Sequence, residues 1–264
     1  MLTNSLNYIK AQIKDFIPDT ALILGSGLDG VSQTIENPLY IDYAAIPDFP
    51  QTTVAGHKGR FAFGQIGSRK VICMEGRFHL YEGIAPQLIA DIVGLLAALG
   101  VKELIITNAA GSLKTSMPAG SLMLIKDHIN FSGHNPLIGP HDEPYFPDMS
   151  NAYDAVSRQK VKTMAQQLNI ELFEGVYLMA MGPNYETPAE VKLFQLFGAD
   201  AVGMSTVPEV IAAVHKGLKV LAFSVISNLG TGLTSEVQNH QDVLAQVQKS
   251  SKKLEQLLKT YLNQ

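Results

Sequence analysis

Apolar residues along the chain follow two patterns. Short unbroken runs occur at Ala21-Leu22-Ile23-Leu24, Val71-Ile72-Cys73-Met74, Leu104-Ile105-Ile106, Leu122-Met123-Leu124-Ile125, Val176-Tyr177-Leu178-Met179 and Val220-Leu221-Ala222-Phe223-Ser224-Val225-Ile226. Such runs predict strands buried on both faces. Stretches with apolar residues three or four apart predict helices over 3–16, 86–99, 152–168, 188–197, 207–215 and 236–262. In the first, Leu6, Ile9, Ile13 and Phe16 share a face and Pro18 ends the helix. Thr187-Pro188-Ala189-Glu190 and Thr206-Val207-Pro208-Glu209 both read as capping boxes at helix starts. Alternating strands and helices predict an α/β fold: a single domain over 1–264, with a mixed, largely parallel central sheet flanked by helices. Ligand loops are then expected at the carboxyl ends of the strands. Residues 130–150, rich in Gly and Pro, are the least regular region.

Composition removes whole classes. The 264 residues are 46% hydrophobic and 17% charged, with 20 Lys+Arg against 24 Asp+Glu and a net charge of −4. That profile is globular, and it lacks the clustered basic excess expected of a nucleic-acid binder. No segment approaches the roughly 20 apolar residues of a membrane helix, and the amphipathic N-terminus is unlike a secretory signal. A reduced cytoplasmic protein is expected. The lone Cys73 sits in an apolar run and is expected in the core. No C-x-x-C, H-E-x-x-H or close His pair suggests a metal, and no G-x-S-x-G suggests a serine hydrolase.

Candidate chemistry follows the apolar runs. Gly25-Ser26-Gly27-Leu28-Asp29-Gly30 matches G-x-G-x-x-G, with Asp42 near the end of a second apolar segment, so the local pattern leaves a dinucleotide site open. The same glycines and the Ser26 hydroxyl also suit a phosphate, which is the preferred ligand. Residues 52–60, with His57, Lys58 and Arg60, suit either an anion-closing loop or a solvated turn. Glu75-Gly76-Arg77-Phe78-His79-Leu80-Tyr81-Glu82-Gly83 concentrates donors for an anion, with Glu82 able to polarise His79; the alternative is a structural ion-pair cluster. Thr107-Asn108-Ala109-Ala110-Gly111-Ser112 would let a ligand approach the backbone closely, although a tight turn explains it equally. Tyr185 offers a stacking face, and Glu186 lies near a helix N-terminus where its charge would be stabilised. Ser205 stands beside another helix start, and Asn228 follows the longest apolar run.

In order, these segments resemble the trimeric purine nucleoside phosphorylase family, which includes 6-oxopurine enzymes and their xanthosine and methylthioadenosine relatives. The resemblance rests on ILGSGL at 23–28, TTVAGHKGR at 52–60, EGRFHLYEG at 75–83, TNAAGSL at 107–113, DHINFSGHNPL at 127–137, MGPNYETPAE at 181–190, VGMSTVPE at 202–209 and ISN at 226–228. It implies the nucleoside phosphorylase fold and reversible phosphorolysis of purine ribo- and deoxyribonucleosides to free base and pentose 1-phosphate. Inorganic phosphate is then a co-substrate, with no metal or organic cofactor, and the assembly is a homotrimer. By the same resemblance Ser26, His57, Arg77, His79, Ala109 and Ser205 would bind phosphate. Tyr81, Met204 and His240 would contact ribose, while Ala110, Gly111, Tyr185, Glu186, Val202, Gly203 and Asn228 would form the purine pocket, with Tyr177 a further wall. Asn228, Glu186 and His79 would carry the catalysis. Asn228 stands where adenine-type members tend to have aspartate, which implies inosine and guanosine as substrates. Tyr145 or Phe146 would reach a neighbouring subunit's sugar pocket. The alternatives are a xanthosine-preferring relative, a non-catalytic nucleoside-binding module, and a nicotinamide-dependent dehydrogenase resting on the glycine motif.

Overall fold

The computed structural model describes residues 2–52, 57–139, 146–234 and 240–264, with side chains described in the last segment from 250 onward. Nine strands form one mixed sheet: β1 (Thr20–Ile23), β2 (Glu36–Asp42), β3 (Arg60–Ile66), β4 (Arg69–Glu75), β5 (Glu103–Ser112), β6 (Leu122–Asn130), β7 (Leu172–Met179), β8 (Ala201–Gly203) and β9 (Lys219–Leu229). Six α-helices accompany them among the described residues: α1 (Thr3–Ile13), α2 (Pro86–Ala98), α3 (Ala155–Gln167), α4 (Pro188–Leu196), α5 (Val207–His215) and α6 (His240–Leu262). None of the helices among the described residues is long and apolar enough to cross a membrane.

The apolar runs become central strands because both of their faces are covered. Ala21 and Ile23 of β1 enter one core cluster with Ile72, Met74, Leu104 and Ile106, under α2 and α5. Leu22, Val71, Cys73 and Ile105 point the other way, into a second cluster completed by Val161 and Met164 of α3 and by Leu254, Leu257 and Leu258 of α6. Cys73 is therefore a core residue, wholly buried. Each such side chain contributes about 1.5–3 kcal/mol of burial free energy for Val- to Met-sized groups.

The sheet is mixed, with more parallel than antiparallel pairs, as the alternating pattern predicts. Strand order is β2-β3-β4-β1-β5-β8-β7-β6-β9, with a further β5–β9 pairing that closes the strands from β5 to β9 on themselves. The β2–β3, β3–β4, β5–β8 and β6–β9 pairs are antiparallel; the others are parallel. This topology argues against the dinucleotide alternative. Asp42 lies on the edge strand β2, separated from β1 by β3 and β4, and faces Arg60 across an antiparallel pair.

Several boundaries shift for physical reasons. α1 ends at Ile13, where Lys14 turns to φ 53, and Phe16 instead meets the Phe63 ring edge-on at 6.3 Å. α3 begins at Ala155, capped by Asp154, whose side chain accepts from Ser157 N–H. β5 and β9 run past their apolar cores, so the 107–112 segment and Asn228 lie within strands and not after them.

Candidate active site

β5 changes partner along its length, and that change opens the site. Residues 103–106 pair with β1, whereas Gly111 and Ser112 pair with β8. Between them Asn108, Ala109 and Ala110 face a cleft enclosing about 780 Å³ of non-protein space, part of it open to solvent. Ligands in open α/β sheets bind where strand order switches in this way. The cleft brings together Ser26, Arg77, His79, Tyr81, Ala109, Ala110, Gly111, Tyr185, Glu186, Val202, Gly203, Met204, Ser205 and Asn228.

At one end the donors for an anion converge. Gly25 lets the loop after β1 lie against β5: its N–H donates to Thr107 Oγ1 at 3.0 Å, and an added Cβ would come within 2.9 Å of Thr107 O. Arg77, 1% exposed, donates from Nε to Glu209 Oε1 at 3.0 Å and from Nη1 to Thr107 O at 3.0 Å and Ser205 Oγ at 2.9 Å. Its buried Nη2 has no partner among the described residues. Asn108 donates to Thr206 Oγ1 at 2.8 Å and leaves its buried Oδ1 unpaired.

These contacts overturn the second capping box. Thr206 adopts φ 79 and makes no side-chain cap, because its hydroxyl serves Asn108, while Glu209 turns to Arg77. The Thr187–Glu190 box does form, with Glu190 N–H donating to Thr187 Oγ1 at 3.2 Å.

His57 stands behind Ser26 and outside the cleft lining. Its Nε2 is 3.0 Å from Ser26 Oγ, and its Nδ1 lies 3.1 Å from Arg77 O and 3.2 Å from Arg77 N. With Nε2–H the ring donates to Ser26 and accepts from the Arg77 N–H; with Nδ1–H it donates to Arg77 O and accepts from Ser26. Burial and the Arg77 charge lower the His57 pKa.

His79 is fixed by Glu82, whose Oε1 lies 2.9 Å from Nδ1 and accepts the His79 backbone N–H at 2.9 Å. A carboxylate only accepts, so Nδ1 carries the proton and Nε2 is the free acceptor of the neutral ring. Burial first, then the Arg77 charge, push the imidazole down to about 4, against the pull of Glu82. The ring stacks on Tyr81 at 4.7 Å, and burial pushes the Tyr81 hydroxyl up to about 12.

The other end is shaped for a flat ring. An added Cβ on Gly111 would sit 3.3 Å from Asn228 Nδ2, and one on Gly203 would lie 2.4 Å from Tyr177 Oη. Tyr177 is thus wholly buried behind Gly203, with its oxygen accepting the Ser205 N–H at 3.3 Å, and it does not line the cleft. Asn228 Oδ1 accepts from Ser227 Oγ at 2.7 Å while Nδ2 donates to Leu229 O at 3.0 Å, which leaves a second amide hydrogen. Glu186 departs from expectation: burial raises its carboxyl pKa despite the nearby helix start.

Gly25, Asn108 and Ser227 also line the cleft, and Glu209 supports it from beneath; Gly25 and Asn108 fall in segments the sequence singles out, whereas Ser227 and Glu209 are assigned no site role there. Asn108 and Ser227 carry one faint signal, a polar side chain inside or beside an apolar run. The His240 side chain and Tyr145 lie outside the described residues, and Phe146 is 88% exposed.

The Phosphorylase superfamily profile matches residues 19–263. Purine nucleoside phosphorylase 1 of Bacillus subtilis is 47% identical over 245 residues, covering 90% of each chain. A crystal structure of isoform 2 of purine nucleoside phosphorylase from Schistosoma mansoni, in complex with cytosine and ribose-1-phosphate, superposes with a TM-score of 0.94 at 41% identity. That match covers 100% of this chain and 95% of the other. The Schistosoma mansoni enzyme in complex with inosine gives a TM-score of 0.93 at 36% identity, with 100% and 95% covered.

Proposed function

Since the chain belongs to the phosphorylase superfamily, as a purine nucleoside phosphorylase, we propose that this cleft is where it cleaves 6-oxopurine nucleosides, inosine and guanosine with their deoxy forms. The observation that carries the assignment is the pairing of two donor sets along β5. Arg77 bonds to Thr107 and Ser205, Ser26 follows Gly25, which also bonds to Thr107, and Asn228 stands beside Gly111, with His79 and Glu186 in the same cleft lining. Four strand residues at about 3.3 Å each separate Thr107 from Gly111 by roughly 13 Å, room for a phosphate, a sugar and a purine in a row.

The reaction is a displacement at C1′. Phosphate oxygen forms a bond to C1′, the C1′–N9 bond breaks, and the proton carried by hydrogen phosphate ends on the purine. Charge separates on the way, cationic on the sugar and anionic on the departing base, as in other glycosyl transfers. Arg77, Ser26, Ser205 and the Ala109 backbone hold the phosphate next to C1′, where its own charge stabilises the cation. His79, neutral with Nε2 as acceptor, takes a hydrogen bond from hydrogen phosphate, and His57 orients Ser26. Asn228 donates its remaining amide hydrogen at the N7/O6 edge, where negative charge grows on the base, and Glu186 accepts from N1–H. Tyr81, Met204 and His240 contact the ribose, and Ala110, Gly111, Val202, Gly203 and Tyr185 enclose the ring. No cofactor besides phosphate is needed for these steps. We assign residues 1–264 to one domain, the active form to a cytoplasmic homotrimer, and Tyr145 or Phe146 to the neighbour's sugar pocket.

Base release from inosine, followed with and without phosphate and repeated with adenosine and xanthosine, tests this. Phosphate-dependent hypoxanthine release with weak adenosine turnover is expected; release without phosphate, or a preference for adenosine, would overturn it.

A further inference from the structure

Outside the cleft, one lysine joins the segments that carry its anion donors. Lys58 Nζ lies 3.0 Å from Asp29 Oδ2 and 2.9 Å from Glu75 Oε1. Lys58 directly follows His57; Asp29 closely follows the loop of Ser26; Glu75 ends β4, just before Arg77. Glu75 is the hub. Its side chain is 3% exposed, and it also accepts from Ser32 Oγ and from Arg60 Nε, each at 2.5 Å. Three donors from two segments, Ser32 from one and Lys58 and Arg60 from the other, favour the ionised carboxylate, and its pKa is lowered despite burial. None of Lys58, Asp29, Ser32, Arg60 or Glu75 lines the cleft.

We propose that Lys58 is a positioning residue for phosphate, its ammonium clamping the Ser26 loop, the His57 segment and the turn into Arg77 at one spacing. The inference rests on the phosphate site assigned above. Ser26 and Arg77 meet a common anion only if their segments keep that spacing, and the contacts of His57 to Ser26 and to the Arg77 backbone depend on the same alignment. Fixing it in the free protein removes an ordering cost that phosphate binding would otherwise bear. The clamp thus acts on phosphate affinity and leaves the purine end untouched.

A rival role for Lys58 is simple attraction of the anion by its charge, and Asp29→Asn separates the two. It keeps the lysine and removes a negative charge, so attraction alone predicts tighter phosphate binding, whereas a broken clamp predicts weaker binding. We would measure KM for phosphate and for inosine in wild type, Lys58→Met, Lys58→Arg and Asp29→Asn, together with the rise in Tm produced by inorganic phosphate. The clamp predicts a phosphate KM raised about five-fold in K58M and about two-fold in D29N, a range set by partly exposed ion pairs. Inosine KM should stay within about two-fold, K58R should recover most of the loss, and the phosphate-induced Tm rise should shrink in K58M and D29N. A lower phosphate KM in D29N, an unchanged phosphate KM in K58M, or equal rises for both substrates would overturn the clamp. Should K58M fail to fold, D29N carries the test, since Asp29 is 46% exposed. Wild type that releases no base from inosine and phosphate would instead refute the assigned activity, and the Tm readout would still decide the clamp.

Discussion

Glu209 Oε1 stands 3.0 Å from Arg77 Nε beneath the cleft, in an ion pair whose side chains are 5% and 1% exposed. The carboxylate balances a guanidinium that burial would otherwise destabilise, and removing one partner of a buried pair costs about 3–5 kcal/mol. Glu209→Ala should therefore lower Tm by several degrees, at about 2–4 °C per kcal/mol for a chain of this size. Inorganic phosphate should restore part of the loss, because the bound anion supplies the missing negative charge. Thermal melts with and without phosphate check this; a loss that phosphate does not relieve would show that Glu209 does not neutralise the anion-binding cation.

The acid limb of stability follows from His79. Unfolded, a histidine titrates near 6.5; in the native protein burial and Arg77 push His79 down to about 4. Between those values the unfolded chain holds a proton that the native chain lacks, so stability rises with pH there. The contribution is complete above about 6.5 and is lost as pH falls toward 4, and the lowered pKa of His57 acts in the same direction. Melts from pH 7 to 4.5 should show a shallower decline in His79→Gln than in wild type. Identical slopes would mean that His79 is not held neutral.

How much of this site can be read from the chain differs residue by residue. Ser26, Arg77, Glu186 and Asn228 sit at or beyond the ends of apolar runs, a local signal that the fold preserves. Glu209 is not legible in that way. It satisfies a capping-box pattern, yet a guanidinium 132 positions earlier claims it, because a buried charge needs a partner more than a helix end needs a cap. The closure from β5 to β9 was hidden for a related reason. Thr107 and Asn108 look like the end of a strand, but their side chains bond to Gly25 and Thr206, so polar residues continue through the sheet. β3 has no long apolar run to mark it, although its Phe61, Ala62 and Phe63 are buried, since Gly64 and Gln65 follow them.

In the proposed reaction Glu186 accepts from N1–H as a carboxylate, and burial raises its pKa. Acidification should consequently lower kcat/KM for inosine in wild type as Glu186 takes up a proton. Glu186→Gln should lose about 100-fold in kcat/KM, the cost of a buried charge-assisted hydrogen bond, and should lack that acid limb. A pH profile of both proteins is the check, and an unchanged limb in the variant would assign it to another group.

Asn228 offers the sharpest test of base choice. Ser227 Oγ, 2.7 Å from Asn228 Oδ1, turns the amide so that its nitrogen carries the remaining hydrogen bond, suited to an acceptor such as O6. An aspartate at this position has no such hydrogen. Its carboxylate would face O6 of inosine as one acceptor against another, while it could accept from the 6-amino group of adenosine. Asn228→Asp should thus lower kcat/KM for inosine by about 100-fold or more, because an unmade buried hydrogen bond costs several kcal/mol when both groups are acceptors. Adenosine turnover should rise over the same substitution, and KM for phosphate should move little, since Asn228 lies at the Gly111 end of the cleft, away from Arg77. If inosine turnover persists within about three-fold, with adenosine unimproved, the base is selected elsewhere, and Glu186 becomes the group that decides it.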